Sequence, residues 1–261
     1  LKRSKDDYVI RAVENALRVL EAFMQSEILG VTKLSKQLGL HKNKVFRLLA
    51  TLEMMGYVEQ CEDERYRLGS ACLTLGRAFE RCNTLAKEGR RALEGLCGKT
   101  GESAHLAVLE GFSVMHLAGV VCDCILSTGP RTGLRLSAHN TALGKALLAF
   151  LPSERLEVLD RKFIRKKALA AATPASITDR DKFFDHLGAV AGQGFALDIE
   201  ECAAGLCCVA APVHGADGAV IAALSISVPT ARAGEEALRS RFAPQVVAAA
   251  AGLSRRLCGA V

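Results

Sequence analysis

The strongest constraint on the fold lies between Val13 and Leu68, where glycines punctuate a series of apolar stripes. Val13 to Met24 sets Ala16, Leu17, Leu20 and Phe23 at helical spacing, and Gly30 breaks the pattern. Thr32 is placed to cap a short helix whose apolar face is Leu34 and Leu38. Gly39 ends that helix, at a position where a left-handed backbone is cheap only for glycine. Lys42 to Met55 then repeats the spacing with Val45, Leu48, Leu49 and Leu52, and Gly56 closes it. Tyr57 to Gln60 and Arg65 to Leu68 flank the charged turn Glu62-Asp63-Glu64, a pattern for a two-stranded hairpin. Helix, short helix, glycine turn, longer helix and hairpin in this order predict a winged helix-turn-helix.

Charge sharpens that expectation only locally. The formal net charge of +6 is shared between the first 82 residues and the rest, so it points to no particular half. The window from Ile28 to Leu52, however, holds Lys33, Lys36, Lys42, Lys44 and Arg47 with no acidic residue. A basic helix face alone is usually just a solvated face. Here it falls on the second and third helices, with the apolar stripe fixing Lys42, Asn43, Lys44 and Arg47 outward near the start of the third. That is where a recognition helix meets base edges and phosphates. Arg47 and Asn43 have donor geometry for guanine and adenine edges, and the lysines suit phosphates. Thr32 and Lys33 at the start of the second helix are further DNA-binding candidates, as are Arg65 and Arg67 on the hairpin. The expected partner is double-stranded operator DNA.

The remaining chain is long enough for a second, larger domain, and the expected division is 1–70 for the DNA-binding head, 71–82 for a linker helix and 83–261 for a mixed domain. Ala71 to Arg81 and Leu85 to Lys99 read as helices. Ser103 to Leu109 and Val114 to Val121 form a hairpin about Glu110-Gly111, and Cys122 to Ser127 is a candidate extension of the sheet. Three helices follow: Thr141 to Leu151, capped at Asn140 or Thr141; Ser153 to Asp160, with a serine cap; and Thr178 to Val190. Phe195 to Ile199, Leu206 to Val213 and Val220 to Val228 read as strands, and Glu235 to Leu257 as a terminal helix. The class is therefore α+β.

The stretch Leu1 to Ile10 is polar and charged and does not read as a signal peptide, and no run of 18 apolar residues suggests a membrane span. Ten cysteines in such a chain read as reduced thiols, which points to the cytoplasm. Cys122/Cys124 and Cys207/Cys208 lack zinc-ligand spacing, so no metal and no cofactor is expected.

The chain resembles the IclR family of bacterial transcriptional regulators along nearly its whole length. The matching residues are Arg11 through Leu20, Arg47 through Glu53, Gly56-Tyr57-Val58 and Tyr66 through Gly69, then Thr141 through Ala146, Asp198 through Glu201, Gly205 through Pro212 and Ala223 through Ser227. The resemblance implies a C-terminal GAF-like α/β effector-binding domain, a dimer or dimer of dimers on DNA, and a small-molecule effector, often an organic acid. It places the effector against Ala142, Leu143, Asp198, Leu206, Cys208, Ser225 and Ser227, with Ile125, Thr128 and Leu136 as a more variable apolar wall. Ser225 and Ser227 also stand out physically: two apart on a strand, they put two hydroxyls on one face. Their bland reading is pairing with neighbouring backbone. Three residues depart from the family pattern: Ser137 for a proline, Val228 for a glycine, and Cys207 beside Cys208.

Other functions leave weaker traces. Gly144-Lys145 lacks the first glycine and the hydroxyl residue of a nucleotide loop, no nucleophile elbow is present, and the chain reads as no enzyme. A cysteine nucleophile at Cys208 is the residual enzymatic alternative. A redox sensor built on Cys202, Cys207 and Cys208 is the third class.

Overall fold

The computed structural model describes residues 8–165 and 168–259. The first seven residues, read above as part of a polar lead-in, lie outside the described residues. The chain divides into two compact units, Leu1–Cys82 and Asn83–Val261.

In the first unit, α1 (Arg11–Ala22), α2 (Val31–Leu38) and α3 (Lys42–Met54) pack around Val19, Phe23, Leu34, Val45, Leu49 and Leu52. Gly39 caps α2 with φ +66°, as the sequence requires. The expected Thr32 cap is not formed. Gly30 is the N-cap, without a side-chain hydrogen bond, and Thr32 lies exposed in the first turn. The helix starts two residues earlier than a Thr32 cap allows, because Leu34 N bonds back to the Gly30 carbonyl at 3.1 Å. Strands β1 (Val58–Gln60) and β2 (Tyr66–Leu68) form the hairpin. Buried Tyr66 pairs with Leu29, which fixes the hairpin to the helices. Helix α4 (Ser70–Cys82) follows and buries none of its side chains.

The second unit is built on a six-stranded antiparallel sheet in the order β5-β4-β3-β8-β7-β6. The strands are β3 (Ser103–Glu110), β4 (Ser113–Val120), β5 (Arg135–Ser137), β6 (Ala196–Ile199), β7 (Leu206–His214) and β8 (Val220–Pro229). Residues alternate between two buried faces. Leu224, Ile226 and Val228 of β8 and Cys207, Val209 and Ala211 of β7 meet α5 (Thr84–Thr100) and α10 (Ala243–Cys258). Ala223, Ala210, Cys208 and Leu206 face α6 (Ala142–Ala149) and α8 (Arg180–Gln193). Helix α7 (Ser153–Leu159) ends in a π turn, Asp160–Ile164, where Asp160 holds both Arg165 and Arg180 at 2.7 Å.

Several expectations for this unit change. Cys122 to Ser127 forms no strand; the sheet is extended instead by β5, whose three residues are too few to show alternation. Pro152, not Ser153, is the N-cap of α7, and it offers no side-chain bond. Thr141 caps α6, accepting from Gly144 N at 3.1 Å. Asp179 caps α8 through Lys182 N at 2.9 Å. The terminal helix is interrupted: α9 (Glu235–Ala237) passes through a π turn, Leu238–Phe242, before α10, because buried Leu238 and Phe242 both turn to the sheet.

Gly144 holds the start of α6 against the chain before it. A side chain there would overlap the backbone of Ala138, which cannot yield as a flexible side chain does. Gly144→Ala is therefore expected to cost about 2–4 kcal/mol of stability, read as a lower thermal midpoint of the full chain.

Candidate functional sites

On α3, Lys42, Asn43, Lys44 and Arg47 are all exposed, on the face opposite Val45, Leu49 and Leu52. His41 caps the helix, its Nδ1 accepting from Asn43 N at 3.4 Å. No carboxylate among the described residues pairs with Lys33, Lys36, Lys42, Lys44 or Arg47, so this face keeps its full positive charge. Phe46, half exposed beside Arg47, adds an apolar contact that sequence reasoning missed because it sits off the apolar stripe.

The hairpin differs. Arg65 is held by Asp63 at 2.5 Å, and Arg67 by Glu59, directly across the strand pair, at 3.0 Å. The hydrogen bonds from Arg65 keep the Asp63 carboxyl below its ordinary range. Exposed pairs of this kind are worth at most about 1 kcal/mol, so a phosphate can displace the carboxylate at small cost.

The second unit collects polar groups on the sheet face beneath α6. Register places Asp198, Cys208, Ser227 and Ser103 in one row across four strands, and Ala196, Ala210, Ser225, His105 and Gly119 in the next. Directly opposed residues in antiparallel pairs share a face, so three serines, a cysteine, a carboxyl and an imidazole form one patch. All six are buried. Cys208 Sγ lies 3.3 Å from Ser227 Oγ. Asp198 accepts from the amides of Glu201 at 2.8 Å and Cys202 at 3.2 Å. Gly119 gives His105 its space, since a Cβ there would meet His105 Nδ1 at 3.0 Å.

A loop joining β4 to β5 is tied to the same patch. Thr128 Oγ1 is 3.4 Å from His105 Nε2. His116 Nδ1 bonds the Leu134 carbonyl at 3.3 Å, and His116 packs edge-on against His105 with ring centroids 5.8 Å apart. Burial is the first cause that pushes His105 down to about 3 and His116 down to about 4, with the charge of Arg131 acting in the same direction. Both imidazoles are thus neutral near pH 7.

Arg131 makes its positive charge felt at the Cys202 and Cys208 thiols. It is partly buried, and no carboxylate among the described residues pairs with it. Lys145, the other buried cation, is fully enclosed and neutralised by Glu201, which also rules out a phosphate-binding role. Removing one partner of such a pair typically costs about 3–5 kcal/mol, so it is a structural tie at the back of the patch.

The expected effector residues separate accordingly. Asp198, Cys208, Ser225 and Ser227 share the patch, while Ala142, Leu143 and Leu206 belong to the core between α6 and the sheet. Thr128 reaches the patch through His105, and Leu136 packs from β5 opposite Val114. Ile125 does not join them: it is fully exposed, because its segment is a bend and does not extend the sheet. His105, Ser103, His116 and Arg131 were missed. Parity along β3 marks the first two once the pairing with β8 is known, but pairing is not written in the sequence, and the Arg131 loop has no periodicity.

The departures from the family pattern are structural. Ser137 Oγ donates to His139 Nδ1 at 2.8 Å, and His139 Nε2 then donates to the Ala170 carbonyl at 2.9 Å. Val228 and Cys207 fill the opposite core. Burial, then the Asp198 charge, pushes the Cys208 thiol far up, and its neighbour is a hydroxyl, which gives no support to a nucleophile there.

The comparisons with known proteins agree with this two-part layout. The IclR helix-turn-helix domain family matches residues 12–62, and the family described as bacterial transcriptional regulator IclR C-terminal matches residues 78–255. The HTH-type transcriptional regulator XynR of Escherichia coli K12 is 34% identical over 251 residues, covering 95% of this chain and 98% of that protein. A crystal structure of an IclR transcriptional regulator from Alicyclobacillus acidocaldarius superposes with a TM-score of 0.85 at 25% identity, covering 96% of this chain and 100% of that one. An IclR homologue from Microbacterium hydrocarbonoxydans, solved with 4-hydroxybenzoate, shares the fold with a TM-score of 0.78 at 24% identity, over 95% of this chain and 99% of that one.

Burial, first of all, raises the Asp198 carboxyl from 3.8 to about 7, against the opposing charge of Lys145. The native state then binds more protons than the unfolded chain across that interval, so stability falls as pH rises through it. Asp198→Asn, which lacks this titration, is expected to show a flatter dependence in urea unfolding between about pH 4 and about pH 8.

Proposed function

The chain belongs to the IclR family of bacterial transcriptional regulators, and from that premise we propose that α3 reads an operator while the patch beneath α6 binds a small organic acid. The protein is a DNA-binding regulator whose affinity for its operator responds to that effector. In this reading residues 1–70 are the head, 71–82 the linker helix and 83–261 the effector domain, and the regulator works in the cytoplasm, where its DNA is.

The observation that carries the DNA half is the acid-free, outward face of α3. Arg47 and Asn43 read base edges, Lys42 and Lys44 hold phosphates, and Thr32 and Lys33 meet the backbone at the start of α2. Arg65 and Arg67 trade their exposed carboxylates for phosphates. A second copy of the chain completes the assembly as a dimer or dimer of dimers. The support is apolar surface: Val13 and Leu17 on α1 and Leu73, Leu75 and Phe79 on α4 are all about half exposed or more. Operator half-sites would follow the two-fold symmetry of such a dimer.

The effector half is supported by Arg131, the partly buried cation without a carboxylate over a patch of neutral hydrogen-bonding groups. The carboxylate of the ligand pairs with Arg131, and Ser225, Ser227 and Asp198 meet its hydroxyl or carbonyl groups. Asp198, whose carboxyl is raised to about 7, donates a hydrogen bond there when it carries its proton and then does not repel the acid. Binding selects between two placements of the DNA heads through its different affinity for each.

Arg47→Ala is expected to weaken operator binding by roughly tenfold or more at fixed salt, measured by fluorescence anisotropy; an unchanged Kd removes Arg47 from the interface. Ser225→Ala with Ser227→Ala is expected to abolish the thermal shift caused by organic acids such as 4-hydroxybenzoate and pyruvate while operator affinity is retained. Arg131→Gln should weaken the same shift by about tenfold in concentration. A panel of such acids that leaves the wild-type midpoint unmoved overturns the effector reading, and equal shifts in wild type and Arg131→Gln overturn the role of Arg131.

A further inference from the structure

Cys202, Cys207 and Cys208 do not form a redox group. Cys207 and Cys208 point to opposite faces of β7, and burial raises all three thiols. A different pair is brought together just after β4. Cys122 and Cys124 flank a bend at Asp123, which turns both sulfurs toward the start of β3. The Cys124 thiol donates to the Gly101 carbonyl at 3.3 Å and is a neighbour of the Cys122 sulfur. Ser103 Oγ donates to Cys122 Sγ at 3.5 Å and accepts from Cys122 N at 3.2 Å. Arg232, clamped on Glu102 at 2.5 and 2.8 Å, adds positive charge beside them.

These neighbours decide which thiol ionises. Burial opposes ionisation of Cys122, but the neighbouring Cys124 thiol and the Ser103 hydroxyl, helped by Arg232, outweigh it, and Cys122 lies below its ordinary value. Cys124, beside Cys122, is raised. Cys122 is therefore the more readily ionised sulfur, and Cys124, partly exposed, is the one that keeps its proton.

We propose that Cys122 and Cys124 form a peroxide-oxidisable dithiol that resets the loop over the effector patch. The Cys122 thiolate attacks one oxygen of hydrogen peroxide, the O–O bond breaks, and a sulfenic acid and hydroxide result. The Cys124 sulfur then displaces the sulfenic oxygen, its proton leaves with the departing hydroxide as water, and the disulfide closes. The two thiols lose two electrons, the peroxide gains two, and two waters are released in all.

Closure takes the Cys124 thiol from the Gly101 carbonyl and the Ser103 hydroxyl from its sulfur partner. Ser103 stands in the same row as Ser227, Cys208 and Asp198. The chain beyond Cys124 is pinned by Arg232 Nη1 to the Leu126 carbonyl at 2.7 Å and by Thr128 to His105. A shift at the dithiol therefore reaches Arg131 through a short, anchored segment. This coupling, though not the disulfide itself, rests on the reading of the patch as the effector site.

The full chain treated with hydrogen peroxide, alkylated with iodoacetamide and digested with trypsin tests the chemistry. Thr100 to Arg131 is one tryptic peptide, and Cys122 and Cys124 are its only cysteines. It is expected to be lighter by two hydrogens, closed to alkylation and restored by dithiothreitol. In Cys124→Ser the oxidation should stop at a Cys122 sulfenic acid that dimedone traps, whereas Cys82→Ser and Cys258→Ser, at exposed cysteines outside the patch, should oxidise as wild type. Full alkylation of both cysteines at a dose that oxidises other thiols overturns the proposal, as does a disulfide mapped to Cys97. The reset is read as a change of about fivefold or more in operator Kd on oxidation, absent in Cys124→Ser. A disulfide with unchanged Kd overturns the reset alone. The effector reading stands or falls separately with the Ser225→Ala, Ser227→Ala variant.

Discussion

The antiparallel pairing of β7 with β8 is buried on both faces, and that double burial governs the second unit. Side chains alternate with period two, so each strand supplies one face to α5 and α10 and the other to α6 and α8. On the first face every position of β8 from Leu224 to Val228 is aliphatic. On the second, Ser225 and Ser227 interrupt the apolar surface at buried positions. A buried hydroxyl without a partner costs about 1–3 kcal/mol, so the fold keeps such groups where something pairs with them. Cys208 serves Ser227 in this way, and the row continues to Asp198 and Ser103.

The electrostatics of that face follow from the same enclosure. Desolvation holds His105 and His116 neutral and lets Asp198 keep its proton to about 7. Lys145 spends its charge on Glu201 behind the patch. What remains is one guanidinium, Arg131, brought in by a loop from outside the sheet. In the proposed reading, neutral donors and acceptors at the floor and one cation beside them suit a small molecule carrying one negative charge and one or two polar groups.

Much of this was legible in the sequence, and the reasons for the rest are specific. Gly39 with its left-handed backbone, the stripe of Val45, Leu49 and Leu52, and the charged turn of the hairpin are local signals, and they located the first unit closely. The parity of Ser225 and Ser227 is local too. The missed features depend on contacts between distant segments. Gly30 replaced Thr32 as cap because the Leu34 amide chose the Gly30 carbonyl. β5 exists only because β4 lies beside it, and His105 enters the patch only because β3 pairs with β8. Cys122 and Cys124 were weighed by their spacing as zinc ligands, a test blind to the bend at Asp123 that makes them a pair. The family resemblance placed the effector residues by position, and of these Ile125 stands exposed on a bend apart from the buried patch.

The carboxylates beside Arg65 and Arg67 have a consequence for the wing on DNA. Each wing arginine is already paired with Asp63 or Glu59, and Glu62 and Glu64 add further negative charge at the hairpin tip. In the proposed reading each phosphate contact there must first displace an acid, at a small cost that falls equally on operator and random sequence because phosphates carry no sequence information. The acidic turn that first identified a hairpin then trims the wing's sequence-independent attraction, and leaves discrimination to the bases that α3 meets.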